Sequence, residues 1–220
     1  MGAVTGVVLL DVDDTLYPRG TGPFSRVNLN IDRYVMRVCG VDQEGARAIR
    51  RAYIGRHGST LLGLMRDHGV DPTHYLAEVH DVPVEDMLCR DERLRKSLAS
   101  IAYPIVVFTN GSYAYACRVV SALGVADIVG DLFTIEYMDF IPKPKPWGFR
   151  KAMRQYGKEP CECLVVDDSA ANVETAFRLG MHAVIVGGED PHGHAVGIPS
   201  IYDLSGVVGR MTARSQERGG

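Results

Sequence analysis

The sequence predicts a doubly wound α/β core on a parallel sheet, with an all-helical segment inserted after the first strand. Three observations carry this. Short unbroken apolar runs, Val7-Val8-Leu9-Leu10, Ile105-Val106-Val107-Phe108 and Leu164-Val165-Val166, read as strands buried on both faces. From about Asp91 onward such runs alternate with helical stretches, which is the pattern of βα units. Residues 24–90 show helical punctuation and no convincing strand. That stretch is too long for a crossover and reads as a cap over the strand ends.

Taken in order, strand 7–10 is followed by helical pieces separated at Gly40-Val41-Asp42, Gly58-Ser59, Gly69-Val70-Asp71-Pro72 and Val82-Pro83. Strand 105–108 leads through Gly111-Ser112 into a helix that runs to Leu123, and residues 131–135 read as a shorter strand. Pro146 suits the first turn of a helix whose apolar face is Phe149, Met153 and Tyr156. Strand 163–166, helix 169–180, strand 182–186 and a last short strand around Ile201 complete the series. The expected division is a core of residues 1–17 and 91–210, a cap of 18–90, and a frayed polar tail at 211–220.

The chain of 220 residues is 46% hydrophobic and 23% charged, ordinary for a globular protein able to bury a real core. A net charge of −3 with scattered basic residues gives no support for a nucleic-acid polymer or a membrane surface as partner. The densest basic stretch, Arg47 to Arg56, is interleaved as on a solvated helix face. Five cysteines without a regular framework suggest a reduced, cytoplasmic setting, and Cys161-x-Cys163 lacks the second pair of a zinc site. The first apolar run is too short for a signal peptide and ends in aspartates. No stretch reaches membrane-spanning length.

The chemistry begins where the strands end. Asp11-Val12-Asp13-Asp14-Thr15 follows the first apolar run, and Asp167-Asp168 follow Leu164-Val165-Val166. In an open parallel sheet, ligands bind beyond the carboxyl ends of the strands. Carboxylates crowded there lose hydration and repel, so a cation is called for, and hard oxygen donors suit Mg²⁺. Any one of Asp13, Asp14 or Asp168 could instead cap the following helix or turn. Two clusters, each after its own buried strand, favour a shared metal site. An EF-hand is excluded, because its sixth and twelfth positions would fall on Leu16 and Gly22 rather than Gly and Glu.

Two further pieces belong with the carboxylates. Thr109-Asn110-Gly111-Ser112 places a hydroxyl at a strand tip beside a helix N-terminus, a seat for phosphate, although Ser112 also reads as an N-cap. In Pro142-Lys143-Pro144-Lys145-Pro146 the prolines hold the backbone extended and fix where the lysines project. The order along the chain is Asp, hydroxyl, Lys, Asp-Asp. A receiver domain uses similar residues, but there the acidic pair comes first and the lysine last.

The sequence resembles the haloacid dehalogenase superfamily of phosphohydrolases, with a Rossmann-like core and a small helical cap. Asp11-x-Asp13-x-Thr15 is similar to its first motif, Thr109 to its second, Lys143 to its third and Asp167-Asp168 to its fourth, over residues 5–190. Leu16-Tyr17-Pro18, Gly58-Ser59-Thr60-Leu61 with Gly63-Leu64, His80-Asp81 and Asp168-Ser169-x-x-Asn172 resemble the pyrimidine 5′-nucleotidase-like branch, with Asp14 where Asn is often found. The resemblance implies a small-molecule phosphate ester as substrate. It implies Asp11 as nucleophile and Asp13 as general acid/base. It further implies Mg²⁺ held by Asp11, the Asp13 carbonyl and Asp168 with Asp167 assisting, and phosphate bound by Thr109, Asn110, Gly111 and Lys143.

Arg56, His57, Ser59, Thr60 and His80 are the cap residues expected to face the site. Tyr17 is expected to pack against the cap rather than react, and His192-Gly193-His194 to form a surface loop. Dehalogenation would leave Asp13 without a leaving oxygen to protonate. Sugar phosphates and phosphoglycolate remain as other substrates, with a phosphosugar mutase and a regulatory phosphoprotein as other roles on the same core.

Overall fold

The computed structural model describes residues 6–209, and the tail expected at 211–220 lies outside them. Six parallel strands form one sheet in the order β3-β2-β1-β4-β5-β6: β1 (Val7–Leu10), β2 (Ile105–Phe108), β3 (Asp131–Phe133), β4 (Cys163–Asp167), β5 (His182–Val186) and β6 (Val196–Ile198). The central strands are buried along their whole length, as the apolar runs require. Side chains alternate between faces with period two. Val8, Leu10, Ile105, Val107, Leu164 and Val166 enter one apolar layer, while Val7, Leu9, Val106, Phe108, Cys163 and Val165 enter the other.

Strand order reverses at β1/β4, and this switch point is where the two acidic clusters emerge side by side. Leu10 pairs with Val166, and the amide of Asp11 extends the ladder to the Val166 carbonyl at 2.9 Å. Two strands whose paired residues lie 156 apart in sequence are thereby registered so that their terminal carboxylates meet.

Between β1 and β2 the chain forms α1 (Phe24–Cys39), α2 (Gln43–His57), α3 (Thr60–His68), α4 (Pro72–Val79), the single turn α5 (Val84–Met87) and α6 (Glu92–Ala99). The punctuation marks work as stop and start signals together. Gly40, Gly58 and Gly69 terminate α1, α2 and α3 in the left-handed conformation, and Asp42, Ser59 and Asp71 accept the first amides of the helices that follow. Val82 and Val84, inside the 18–90 stretch, pack with the layer beneath the sheet. α7 (Tyr113–Ala122), α8 (Pro146–Tyr156) and α9 (Ala170–Arg178) follow β2, β3 and β4, with Ser112 as the N-cap of α7.

Two expectations are corrected. The last strand is not at Ile201, which lies in a 3-10 turn opened by Ser200; it is Val196–Ile198, paired with β5. β3 ends at Phe133, because Thr134 to Phe140 turn sharply, with Asp139 and Phe140 at positive φ.

Candidate active site

A cavity of about 520 Å³ opens at the strand tips between the sheet and α1–α4. Its floor is Asp11, Asp13, Asp14, Thr109, Asn110, Gly111, Lys143 and Asp168.

Lys143 stands at the centre. Its side chain is 1% exposed, and Nζ donates to Asp11 Oδ1 at 2.9 Å, Asp167 Oδ2 at 2.7 Å and the Phe108 carbonyl at 2.6 Å. Burial alone would lower this ammonium, but the Asp11 and Asp167 carboxylates outweigh it and hold it above its ordinary value. Asn110 fixes the lysine's backbone reciprocally, accepting from the Lys143 amide at 2.8 Å and donating to its carbonyl at 3.1 Å. The segment is not extended as expected: Pro142 to Lys145 form a tight turn, closed by the Lys145 amide on the Pro142 carbonyl at 3.0 Å with a cis Lys143–Pro144 bond, and this turn delivers a charged group into a pocket that would otherwise be strongly anionic.

Asp167 is fully engaged. Oδ1 accepts from the Ser169 amide at 2.9 Å and from Asn172 Nδ2 at 2.8 Å, while Oδ2 accepts from Lys143 and again from Asn172. Its visible work is to anchor Lys143 and the start of α9. Asp11, by contrast, has Oδ2 held, among the described residues, by the Thr15 hydroxyl alone at 3.3 Å. Burial pushes the Asp11 carboxyl up and Lys143 pulls it back. Asp168 is likewise raised by burial and partly compensated by Arg19, whose Nη2 lies 2.5 Å from it.

Oxygens of Asp11, Asp167 and Asp168 all lie within 4.8 Å of one another. An all-carboxylate donor set of this size fits a hard divalent cation such as Mg²⁺. Since Asp167 has no free lone-pair direction of note, Asp11 and Asp168 are the groups best able to ligate directly.

Thr109 is 1% exposed, and its Oγ1 accepts from the Gly111 amide at 3.0 Å, which leaves the hydroxyl proton to point elsewhere. Asp13 is raised to about 6 by burial, opposed by hydrogen bonds from Tyr115 and Tyr17. Both phenols donate to the same oxygen, Oδ1, Tyr115 at 2.6 Å. Tyr17 also sits in the apolar layer with Val27 of α1.

Of the cap residues, Ser59, Thr60 and His80 line the cavity; the Ser59 hydroxyl is committed to capping α3. Arg56 and His57 line a separate shallow surface depression with Leu62, Met65 and Arg66, because they lie on another face of α2. The arginine of α2 that reaches the cavity is Arg50, anchored by the buried Asp32 and by Asn28. Arg19 and Arg50, which line the cavity, and Tyr115, which reaches it through its bond to Asp13, are participants that the sequence does not announce. A charge or a tyrosine at helical spacing carries no local mark, and only the fold sets which face it joins.

Residues 5–180 match the family model of the haloacid dehalogenase-like hydrolases. Phosphate metabolism protein 8 of Saccharomyces cerevisiae is 27% identical over 194 residues, covering 81% of this chain; the chain spans about 60% of that relative's length. A HAD phosphatase from Thermococcus onnurineus superposes with a TM-score of 0.61 at 22% identity, over 93% of this chain and 98% of that one. A 2-haloacid dehalogenase from Pseudomonas syringae pv. Tomato gives 0.58 at 21%, over 94% and 99%. At these identities the two structures establish the fold alone. Two chemistries are named on it, so the choice between them falls to the residues.

Proposed function

The chain belongs to the haloacid dehalogenase-like hydrolases, and from that premise we propose that it is a Mg²⁺-dependent phosphomonoesterase acting through an aspartyl-phosphate. The observation that carries this reading is Asp13. A carboxyl raised to about 6, lining the cavity two residues from Asp11, is a group suited to give and take a proton near neutral pH. A halide leaving group would have no use for it.

In the proposed reaction a carboxylate oxygen of Asp11 attacks phosphorus, and the ester P–O bond breaks as Asp13 gives its proton to the leaving oxygen. Asp13, now a carboxylate, takes a proton from water as that water attacks the same phosphorus, and the bond to Asp11 breaks to release phosphate. Thr109 and the Gly111 and Asn110 backbone would donate to the transferring oxygens, whose charge grows during transfer, while the Lys143 ammonium, its three donors held by Asp11, Asp167 and the Phe108 carbonyl, would act through its charge. Mg²⁺ held by Asp11, the Asp13 carbonyl and Asp168 would offset charge between nucleophile and phosphate.

For substrate, the geometry favours a nucleoside 5′-monophosphate, as in the pyrimidine 5′-nucleotidase-like reading. Above the polar floor the cavity is walled by Phe24, Val27, Ile31, Leu61, Tyr75 and Leu76, with Arg50, Asn28 and His80 among them. Such walls suit a planar base carrying a few acceptors better than a fully hydroxylated sugar or phosphoglycolate. Phosphate release from UMP, CMP, purine nucleotides, sugar phosphates and phosphoglycolate tests this. A preference for pyrimidine nucleotides supports it, and a preference for the sugar phosphates overturns the substrate while keeping the chemistry.

A further inference from the structure

Asp13 is held in an unusual way. Its Oδ1 accepts from both Tyr17 and Tyr115, whose hydroxyls lie 3.4 Å apart, and among the described residues no donor reaches Oδ2. The two tyrosines come from distant parts of the chain, one four residues after Asp13 and the other 102 residues on, in the first turn of α7. Both are buried, at 4% and 1% exposure. The close approach of Gly22 to the Tyr17 ring leaves no room for a side chain there, since a Cβ would stand 2.2 Å from it. Over Tyr115 lies His80 of the cap, stacked at 4.6 Å between centroids and 15° between planes.

We propose that Tyr17 and Tyr115 are positioning residues that occupy Oδ1 of Asp13 and so confine its transferable proton to Oδ2, and that His80 makes this arrangement depend on the seating of the cap. The inference rests on the phosphomonoesterase reading above. In a carboxylic acid the protonated oxygen is a poor acceptor, so two phenolic donors on Oδ1 select the form with the proton on Oδ2. When that proton passes to the leaving oxygen, the charge left on the carboxylate meets two donors already in place, with no reorganisation. Because His80 and Tyr115 belong to cap and core, their stacked rings join the proton donor to the element that encloses the substrate.

A merely structural role and a positioning role differ in how they depend on the leaving group. p-Nitrophenolate leaves without full protonation, whereas the alkoxide of a nucleoside 5′-monophosphate needs the acid. The test is kcat and KM of Tyr115→Phe and Tyr17→Phe on p-nitrophenyl phosphate and on the best alkyl phosphate. The expected result is a kcat loss at least about tenfold larger on the alkyl ester, within the range of general acid catalysis, with KM little changed. His80→Ala shows the same bias, and His80→Phe, which keeps a stacking ring, restores most of it. Tyr156→Phe, whose hydroxyl bonds Asp131 away from the site, leaves both rates unchanged.

Equal losses on the two esters overturn the positioning role; if one tyrosine variant does not fold, the other carries the comparison. Wild-type protein that releases phosphate from neither ester overturns the phosphomonoesterase reading, and the inference falls with it. An active wild type with uniform losses in the variants overturns the inference alone.

Discussion

Lys143 and Asp11 lie 132 residues apart in sequence, yet their charged atoms are 2.9 Å apart at the buried floor of the cavity. This pair joins the structural and chemical accounts of the site. The same ammonium that makes the Asp11–Asp167 cluster tolerable in the fold also lines the cavity at the strand tips.

Removing one partner of such a buried network leaves the others uncompensated. Lys143→Ala is expected to lower stability by about 3–5 kcal/mol and to abolish phosphate release. Urea unfolding and turnover, measured on the same preparation, check both; an active variant of unchanged stability contradicts this role for the lysine.

His80 gives a pH signature. Burial lowers its pKa from 6.5 to about 4, so between these values the unfolded chain binds a proton that the folded one refuses. Stability from this group is fully present above pH 6.5 and is lost as pH falls toward 4, by up to about 3 kcal/mol. His80→Phe should flatten the stability curve of the wild type across that window. Parallel curves in urea titrations at pH 7 and 4.5 would show that the ring is not desolvated as described.

Metal binding should stabilise the fold, because Asp11 and Asp168 converge with, among the described residues, Lys143 and the largely exposed Arg19 to balance them. Mg²⁺ is expected to raise Tm in a saturable way, with EDTA reversing it, and Asp168→Asn to weaken binding by about tenfold or more. Calorimetric titration reads this without relying on activity. A Tm indifferent to Mg²⁺ would remove the metal site.

Asp14 adopts a left-handed backbone with φ of 58°, a conformation that Asn also tolerates, and its carboxylate reaches Arg19 only at 3.7 Å. Asp14→Asn should therefore leave turnover within about twofold and stability within about 0.5 kcal/mol. A large loss in kcat would show that this carboxylate belongs to the reaction.

The central strands were legible because burial on both faces demands unbroken apolar runs, and those runs end in the residues that build the floor. β6 was not legible: Val196-Gly197-Ile198 is three residues long at the sheet's edge, beside a loop rich in histidine and glycine, so it has no apolar run to announce it. The caps between the inserted helices could be read from Gly followed by Asp or Ser, since both residues act through local backbone chemistry. Facing could not. Arg50 and Arg56 sit six residues apart on α2, and only the packing of α2 on α1 and α3 turns the first to the cavity and the second away. Tyr115 carries no mark in the sequence, because its partner, Asp13, is brought to it by the fold.

The central claim is that Asp11 attacks phosphorus, and the most direct measurement is phosphate release by the wild type and by Asp11→Asn, each shown to be folded, with Mg²⁺ and a panel of phosphate esters. The account predicts turnover by the wild type and a loss of at least about a thousandfold in the variant, with labelled phosphate trapped on the wild type alone after acid quench. Turnover retained by Asp11→Asn would contradict it.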